Sequence, residues 1–231
     1  MKKLVGALVF VFALQVTAQD NSVLLKHYEA YYKQMRKQGD VQGVINALTH
    51  LNILSPSQSR LDTLAVLYMN GNKHMQALNT LGIEKKEDDS DMAVEVKAVS
   101  LQTLGQPKLA LEHYEELFTR KRNVMVAYEL ADLKIQLDDL MGASVNITYG
   151  IANANADIMR TYYETQQPYQ VPVKAAFLYL KGLVKFKENK ELNIDAAVAL
   201  LDEALLVAPN FRLAQISKDA LLARKTPVKK D

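Results

Sequence analysis

Short side chains recur along the chain at a constant interval, and larger apolar residues keep a fixed offset from them. The short row is spaced by 33 residues: Val44, Ala77, Ala110 and Ala143. A larger apolar row follows it by four positions: Leu48, Leu81, Tyr114 and Ile147. A third row precedes it by twelve positions: Tyr32, Ala65, Ala98 and Ala131. Self-similarity at such a period indicates a repeat architecture in which each repeat is one supersecondary unit.

Each repeat is predicted to contain two amphipathic helices, because apolar residues recur at three- and four-residue steps between polar ones. The turns between the helices are marked by Gly39, Gly71, Gly105 and, less typically, Leu137–Asp138. Asp40, Asp139 and Asn193 stand just before second helices, where their side chains can accept from free backbone N–H groups. Two antiparallel helices approach closely only where side chains are short, so the short row marks the contact within each pair.

The stretch AAVALLDEALLVAPNF, residues 196–211, carries a fifth copy of the pattern after an interruption. Its short residue, Ala197, follows Ala143 by 54 residues, which is 21 more than the period. Three of the extra residues fall in the turn of the fifth repeat, and the other 18 lie in about 152–173. An interruption of this length in a regular array is a candidate functional insertion.

The insertion is predicted to begin as helix and to end as extended chain. We expect the preceding helix to continue to about Thr161. Pro168 and Pro172 disfavour helix in the residues before them, so an extended segment should follow, and the next helix should start at Val173. Because an open repeat end exposes apolar surface, Phe211–Arg224 is predicted to form a final capping helix.

The rows resemble the pattern of the tetratricopeptide repeat (TPR) family over about residues 22–210. The fifth copy matches it closely: Ala197, Leu201, Ala204, Leu205 and Pro209. The first copy matches it moderately: Tyr32, Val44, Leu48, Leu51 and Pro56. The period of 33 departs from the family's 34, and the middle three copies lack the terminal proline.

This resemblance implies an all-α fold. The expected architecture is a right-handed α-solenoid of about five TPR-like helical hairpins plus a C-terminal capping helix. Another type of α-solenoid, or an irregular helical bundle, is the alternative.

The first residues have the pattern of a bacterial secretory signal peptide. Lys2 and Lys3 precede an apolar run over Leu4–Val16, and Val16-Thr17-Ala18 is a small-residue cleavage site. The run has 13 residues, fewer than the ~20 that span a bilayer, so cleavage after Ala18 is favoured over an uncleaved anchor. No later stretch is apolar enough to span a membrane, so no integral membrane segment is expected after cleavage.

The predicted domains follow from these boundaries. Residues 1–18 are the signal peptide, 19–225 a TPR-like superhelical domain with the insertion at about 152–173, and 226–231 a flexible tail. We expect an exported protein of the bacterial cell envelope, either periplasmic or secreted.

The amino-acid composition excludes cysteine-dependent chemistry and gives no indication of nucleic-acid binding. The chain has no cysteine, which excludes disulfides, thiolate metal ligands and thiol nucleophiles. Lys and Arg number 28 against 26 Asp and Glu, and the signal peptide holds two of the lysines, so the mature chain is formally neutral. A neutral chain gives no indication of the basic stripe that binds nucleic acid, and no nucleic-acid partner is expected.

Catalytic and metal-binding patterns are missing from the sequence. The four histidines, expected at the surface, share no metal-ligand spacing: His27, His50, His74 and His113. The acidic run Glu84–Asp91 lacks the order of a calcium loop, and is predicted to be a solvated loop in which Ser90 or Asp91 caps the next helix. Neither a phosphate-binding loop nor a nucleophile elbow occurs, so we expect neither a cofactor nor enzymatic activity.

The resemblance also implies a binding surface, since the first helices of TPR hairpins line a concave groove. The positions carried over are Glu29, Asp62, Glu95, Tyr128, Tyr179 and Phe186. Such a groove is acidic in its N-terminal half and aromatic in its C-terminal half, which suits a basic segment followed by apolar side chains. The alternative is that these are solvated helix faces, with Tyr128, Tyr179 and Phe186 packed under the insertion.

Two functions follow from these features. The first is a non-catalytic scaffold that binds another protein or a peptide through the concave face. The second is a small-ligand or glycan-binding protein, or an enzyme, with a site formed by the insertion at 160–172. That second site would use the polar and aromatic residues of the insertion: Tyr162, Tyr163, Glu164, Gln167 and Tyr169.

Overall fold

The computed structural model describes residues 21–225. The predicted signal peptide and the predicted C-terminal tail lie outside these residues. The first helix, α1, covers 21–38 of the described chain. The helices that follow are α2 (Val41–Leu54), which completes the first repeat, α3 (Gln58–Asn70), α4 (His74–Leu81), α5 (Asp91–Thr103), α6 (Pro107–Arg120), α7 (Val124–Gln136) and α8 (Leu140–Asn153). Two strands follow, β1 (Met159–Tyr162) and β2 (Tyr169–Pro172), and then α9 (Val173–Glu188), α10 (Ile194–Val207) and α11 (Arg212–Lys225).

The chain divides into two compact units, with the boundary between Leu104 and Gly105. In the first unit, α3 packs against α4 and α5, and the core between them contains Ala65, Ala77 and Val96. Tyr32 of α1 packs with Val44, at the start of α2. The unit is therefore built from helical hairpins whose contacts are lined by short side chains.

The second unit has a larger core that continues the same packing. Contacts join α7 to α8, α9 to α10, and α10 to α11. Where α8 meets α9, Gly150 lies directly against the buried ring of Phe177. Where α9 meets α10, a carbon on Gly182 would come within 3.1 Å of Leu201 Cδ2. These close approaches require short residues.

The repeat interpretation is confirmed by burial. All four residues of the short row and the larger apolar residues that follow them are buried: Val44, Ala77, Ala110, Ala143, Leu48, Leu81, Tyr114 and Ile147. The architecture is thus the expected series of all-α hairpins. The capping helix is also confirmed, with bounds one residue later than predicted.

The prediction of a long helix to Thr161 is wrong. Helix α8 ends at Asn153, and an antiparallel hairpin of β1 and β2 follows. Asn and Asp side chains compete for backbone hydrogen bonds and favour turns. Asn153 is the last helical residue, and its side-chain Nδ2 donates to Tyr149 O at 2.8 Å. The next helix starts at Val173 as predicted.

The helix caps agree with the sequence in two of three cases. The side chains of Asp40 and Asp139 accept from Gly43 N–H and Gly142 N–H, each at 2.8 Å. Asn193 does not cap α10 and instead donates to Lys185 O at 3.0 Å. Within the described part of the chain, no helix combines the length and apolar character needed to cross a bilayer.

Candidate protein-binding surface

Within each unit, the first helices of the hairpins, together with the capping helix α11 in the second unit, present a surface that we call the first-helix face of that unit. It consists of α1, α3 and α5 in the first unit, and of α7, α9 and α11 in the second. In the first unit, Glu29 and Glu95 are exposed on this face. Their carboxylates are therefore available to a partner.

Asp62 differs from these two glutamates because it is 6% exposed. Its carboxylate accepts from Gln58 Nε2 at 2.8 Å and from Ser90 Oγ at 2.7 Å. Ser90 also caps α5, accepting from Ala93 N–H. Asp62 thus links the start of α3 to the start of α5.

The sequence predicted that the acidic run 84–91 is a solvated loop, and this prediction is wrong for one of its residues. Asp89 is buried, and its carboxylate lies 2.5 Å from Nζ of Lys97, a fully buried lysine. Lys97 Nζ also donates to Glu84 O at 2.8 Å. The predicted cap at Ser90 is confirmed.

In the second unit, Tyr128 is buried beneath the β-hairpin. It is 3% exposed, and its hydroxyl lies 2.9 Å from that of Tyr162 on β1. The guanidinium carbon of Arg160 lies 3.8 Å from the centre of the Tyr128 ring. Arg160 Nη1 donates to Glu129 Oε1 at 2.6 Å, which ties β1 to α7. Burial raises the pKa of the Tyr128 hydroxyl well above its ordinary value, so Tyr128 stays neutral.

An aromatic cluster extends the contact between β1 and α7 toward α9 and the start of α11. The Tyr162 ring lies 5.7 Å from Tyr169 and 5.0 Å from Phe211, and Phe211 lies 5.2 Å from Tyr179. Tyr169 Oη accepts from Leu213 N–H at 3.4 Å, at the start of α11. Burial, followed by the hydrogen bond to Glu164, raises the pKa of Tyr169 to about 12. The hairpin therefore lies over the first-helix face of this unit.

Phe186 lies apart from that aromatic cluster. It is half-buried near the end of α9, and the guanidinium carbon of Arg224 is 5.2 Å from its ring centre. Of the six predicted groove residues, Glu29 and Glu95 are exposed, Tyr179 and Phe186 are half-buried, and Asp62 and Tyr128 are buried.

The insertion does form a cleft with the start of α11. The cleft has a volume of about 700 Å³ and is lined by Glu164, Thr165, Gln166, Gln167, Tyr169, Asn210, Arg212 and Ile216. Of the insertion residues singled out from the sequence, Glu164, Gln167 and Tyr169 meet here. Tyr162 is buried in the core, and Tyr163 is 75% exposed outside the cleft.

The histidines lie on four different helices, α1, α2, α4 and α6. His113 is 2% exposed, so the expectation of a surface position is wrong for this residue. Across residues 21–225, no three or more histidine, aspartate or glutamate side chains form a group that could hold a metal ion.

Sequence reasoning missed Arg160, Glu129 and Lys97. The available signal for Lys97 was a lysine inside the apolar run VEVKAVS. Arg160 and Glu129 gave no comparable signal in the sequence.

No protein-family model matches the chain, and no curated protein does. Solved structures do resemble it. YrrB, described as a TPR protein with an unusual peptide-binding site, superposes with a TM-score of 0.66 at 16% identity, over 90% of this chain and 98% of YrrB. MamA from Desulfovibrio magneticus RS-1 superposes with a TM-score of 0.61 at 13% identity, over 82% of this chain and 97% of MamA. Identities this low establish the fold alone, and the fold of this chain is that of a tetratricopeptide repeat protein.

Proposed function

We propose that the protein is a non-catalytic scaffold, exported to the bacterial cell envelope, that binds another protein or a peptide through its first-helix face. The observation that carries the proposal is that two first helices of the first unit display exposed carboxylates, Glu29 on α1 and Glu95 on α5. The likeness to YrrB, a TPR protein with a peptide-binding site, supports it. Export rests on the signal-peptide pattern of residues 1–18.

The chemistry of the first unit favours a partner segment with both basic and apolar side chains. Glu29 and Glu95 offer carboxylates to the solvent. Val66, Met69 and Val99 occupy other first-helix positions and are half-buried, so each leaves apolar surface uncovered. Exposed charges guide association and orient the partner, whereas apolar contacts at the centre of an interface hold it.

Charge reversal tests this surface. We expect Glu29→Lys/Glu95→Lys to reduce recovery of a bound partner from a periplasmic extract, because two attractive contacts become repulsive. Asp62 is left unchanged, since its buried hydrogen bonds would be lost as well. The matched control is Glu87→Lys/Asp88→Lys, which makes the same charge change on the exposed α4–α5 loop.

Recovered partners would be quantified by isotope-labelled mass spectrometry, and thermal unfolding would show that both variants fold. A drop of about tenfold confined to the first-helix variant is expected, the equivalent of about 1.4 kcal/mol. Equal recovery of every partner by the two variants would remove the first-helix face of this unit from the proposal.

A second candidate function uses the cleft beside the hairpin, as a small-ligand or glycan-binding site. The cleft volume falls within the range of ligand pockets, and it combines an aromatic ring with amide, carboxylate and guanidinium groups. We expect a soluble oligosaccharide from a defined panel to raise the thermal midpoint of the native protein. The rise should disappear in Gln167→Ala/Tyr169→Phe, and its absence in the native protein would reject this candidate.

A further inference from the structure

The pairing of β1 with β2 determines which backbone N–H and C=O groups point sideways from the two outer edges of the hairpin. Val173 N–H donates to Ile158 O at 2.8 Å, so residues 158 and 173 are a hydrogen-bonded pair. In an antiparallel ladder these pairs alternate with pairs that do not bond each other. Arg160↔Val171 is thus a bonded pair and Thr161↔Gln170 is not. The N–H and C=O groups of Thr161 therefore point outward, away from β2.

The two edges of this sheet differ. On the β2 edge, the outward C=O of Gln170 accepts from Asn210 Nδ2 at 3.1 Å, and the start of α11 lies alongside. On the β1 edge, the outward backbone groups of Met159 and Thr161 have no partner within residues 21–225. One edge is thus covered and the other is open. An open edge is a template for pairing with another extended segment.

The surroundings of the open edge are apolar and acidic. Met159 is 41% exposed and Tyr163 is 75% exposed, on the side of β1 that faces away from the core. Asp157 precedes β1 and Glu164 follows it, and both are exposed, although Glu164 also accepts from Tyr169 Oη and lines the cleft beside α11. On α7, Asp132 lies near Glu129, which is already paired with Arg160. The charge of Arg160 also acts on Asp132, whereas Asp157 and Glu164 form no ion pair in the described part of the chain.

We propose that the outer edge of β1 binds an extended segment of a partner protein by strand addition, and that this segment alternates basic and apolar residues. Side chains of a strand alternate between its two faces. Apolar side chains of the added strand contact Met159 and Tyr163, and basic ones face the exposed carboxylates of Asp157 and Glu164 at the two ends of β1. Backbone hydrogen bonds to Thr161 hold the segment in register. This inference rests on the proposed scaffold function and adds where and how the partner binds.

The direct test uses a capped synthetic peptide that alternates lysine and valine, with a glutamate–valine peptide as the charge control. Amide hydrogen exchange of the native protein is followed by NMR. The lysine–valine peptide is expected to slow exchange of the Thr161 N–H, which the free protein leaves unpaired. The N–H of Tyr162 points toward β2 and should change little. The glutamate–valine peptide should bind more weakly.

Two substitutions at one position separate backbone pairing from other contacts. Of the backbone hydrogen-bonding groups, Thr161→Pro removes only an outward N–H, and proline is tolerated on the solvent side of an edge strand. Thr161→Val is the matched control, because it also loses the side-chain bond from Gln170 but keeps the N–H. We expect Thr161→Pro to bind the lysine–valine peptide about fivefold more weakly than Thr161→Val, the equivalent of about 1 kcal/mol. Exchange protection of Val171 in each free variant reports whether the hairpin is intact.

The outcomes distinguish this inference from the scaffold proposal. Peptide binding without protection of the Thr161 N–H would overturn strand addition and leave a binding surface elsewhere on the protein. No binding of the lysine–valine peptide, or equal affinity for both Thr161 variants with an intact hairpin, would also overturn it. Protection of Thr161 with no effect of Glu29→Lys/Glu95→Lys on partner recovery would support strand addition and reject the first-unit surface.

Discussion

The contact between α8 and α9 makes Gly150 the most demanding position of the second unit. A β-carbon built there falls well within 3.0 Å of three ring atoms of Phe177, Cζ, Cε1 and Cε2. The Phe177 ring is fully buried and packs edge-on against Tyr128, 5.5 Å between ring centres. It therefore has no free space into which it can turn. We predict that Gly150→Ala destabilises the protein.

The magnitude follows from two opposing effects. Alanine is favoured over glycine inside a helix by about 1 kcal/mol. Overpacking a rigid core costs about 1–3 kcal/mol, and the overlap with three ring atoms indicates the upper half of that range. The net expected loss in the free energy of unfolding is about 1–2 kcal/mol, or roughly 2–8 °C in the thermal midpoint for a protein of this size.

Chemical denaturation followed by circular dichroism would measure this loss. The double variant Gly150→Ala/Phe177→Leu tests the mechanism, because a smaller side chain at 177 leaves room for the methyl group. The loss in unfolding free energy of the double variant should be smaller than the sum of the two single losses, by about 1 kcal/mol. A Gly150→Ala protein as stable as the native one, or strictly additive losses, would refute the steric argument.

Three further predictions concern charges that are buried or half-buried. Lys97→Met leaves the Asp89 carboxylate buried without its cation and should cost about 3–5 kcal/mol in denaturant unfolding; adding Asp89→Asn should restore part of this loss, and no restoration would contradict the pairing. Arg160→Ala removes the link from β1 to Glu129 and should speed amide exchange of Tyr162 while leaving α3 unaffected, whereas unchanged exchange would show that the aromatic cluster alone holds the hairpin. Burial, and then the charge of Glu129, raises the pKa of Asp132 above its ordinary value of 3.8. Since the folded state then binds the proton more tightly than the unfolded state, ionised Asp132 lowers stability as pH rises through its folded pKa. Asp132→Asn should accordingly stabilise the protein at pH 7 but not below pH 4, and a gain of equal size at both pH values would exclude this cause.

The repeat architecture could be predicted because its cause is periodic. Close packing of paired helices requires short side chains at one position in every repeat, so Ala77, Ala110 and Ala143 record the fold directly in the sequence. The start of α9 was also predictable from local sequence, because Pro168 and Pro172 disfavour helical conformation in the residues that precede them.

The hairpin and the buried charges depend on contacts between distant residues. Arg160 contacts Glu129, 31 residues earlier, and Asp62 accepts from Ser90, 28 residues later. The repeat register assigns Asp62 and Glu95 to equivalent helix positions. It contains no information about which of them a neighbouring helix cap will cover. A site assigned by repeat position alone therefore mixes exposed residues with structural ones.

The covered edge of the sheet depends on residues that follow it by some forty positions, since Asn210 binds Gln170 O. A protein truncated within α10 would lose that cover and present unpaired backbone on both strands of the hairpin. Exposed strand edges promote association between copies of a chain. Shortened versions ending before Asn210 should consequently form oligomers or aggregates, whereas tags fused after α11 leave this protection in place.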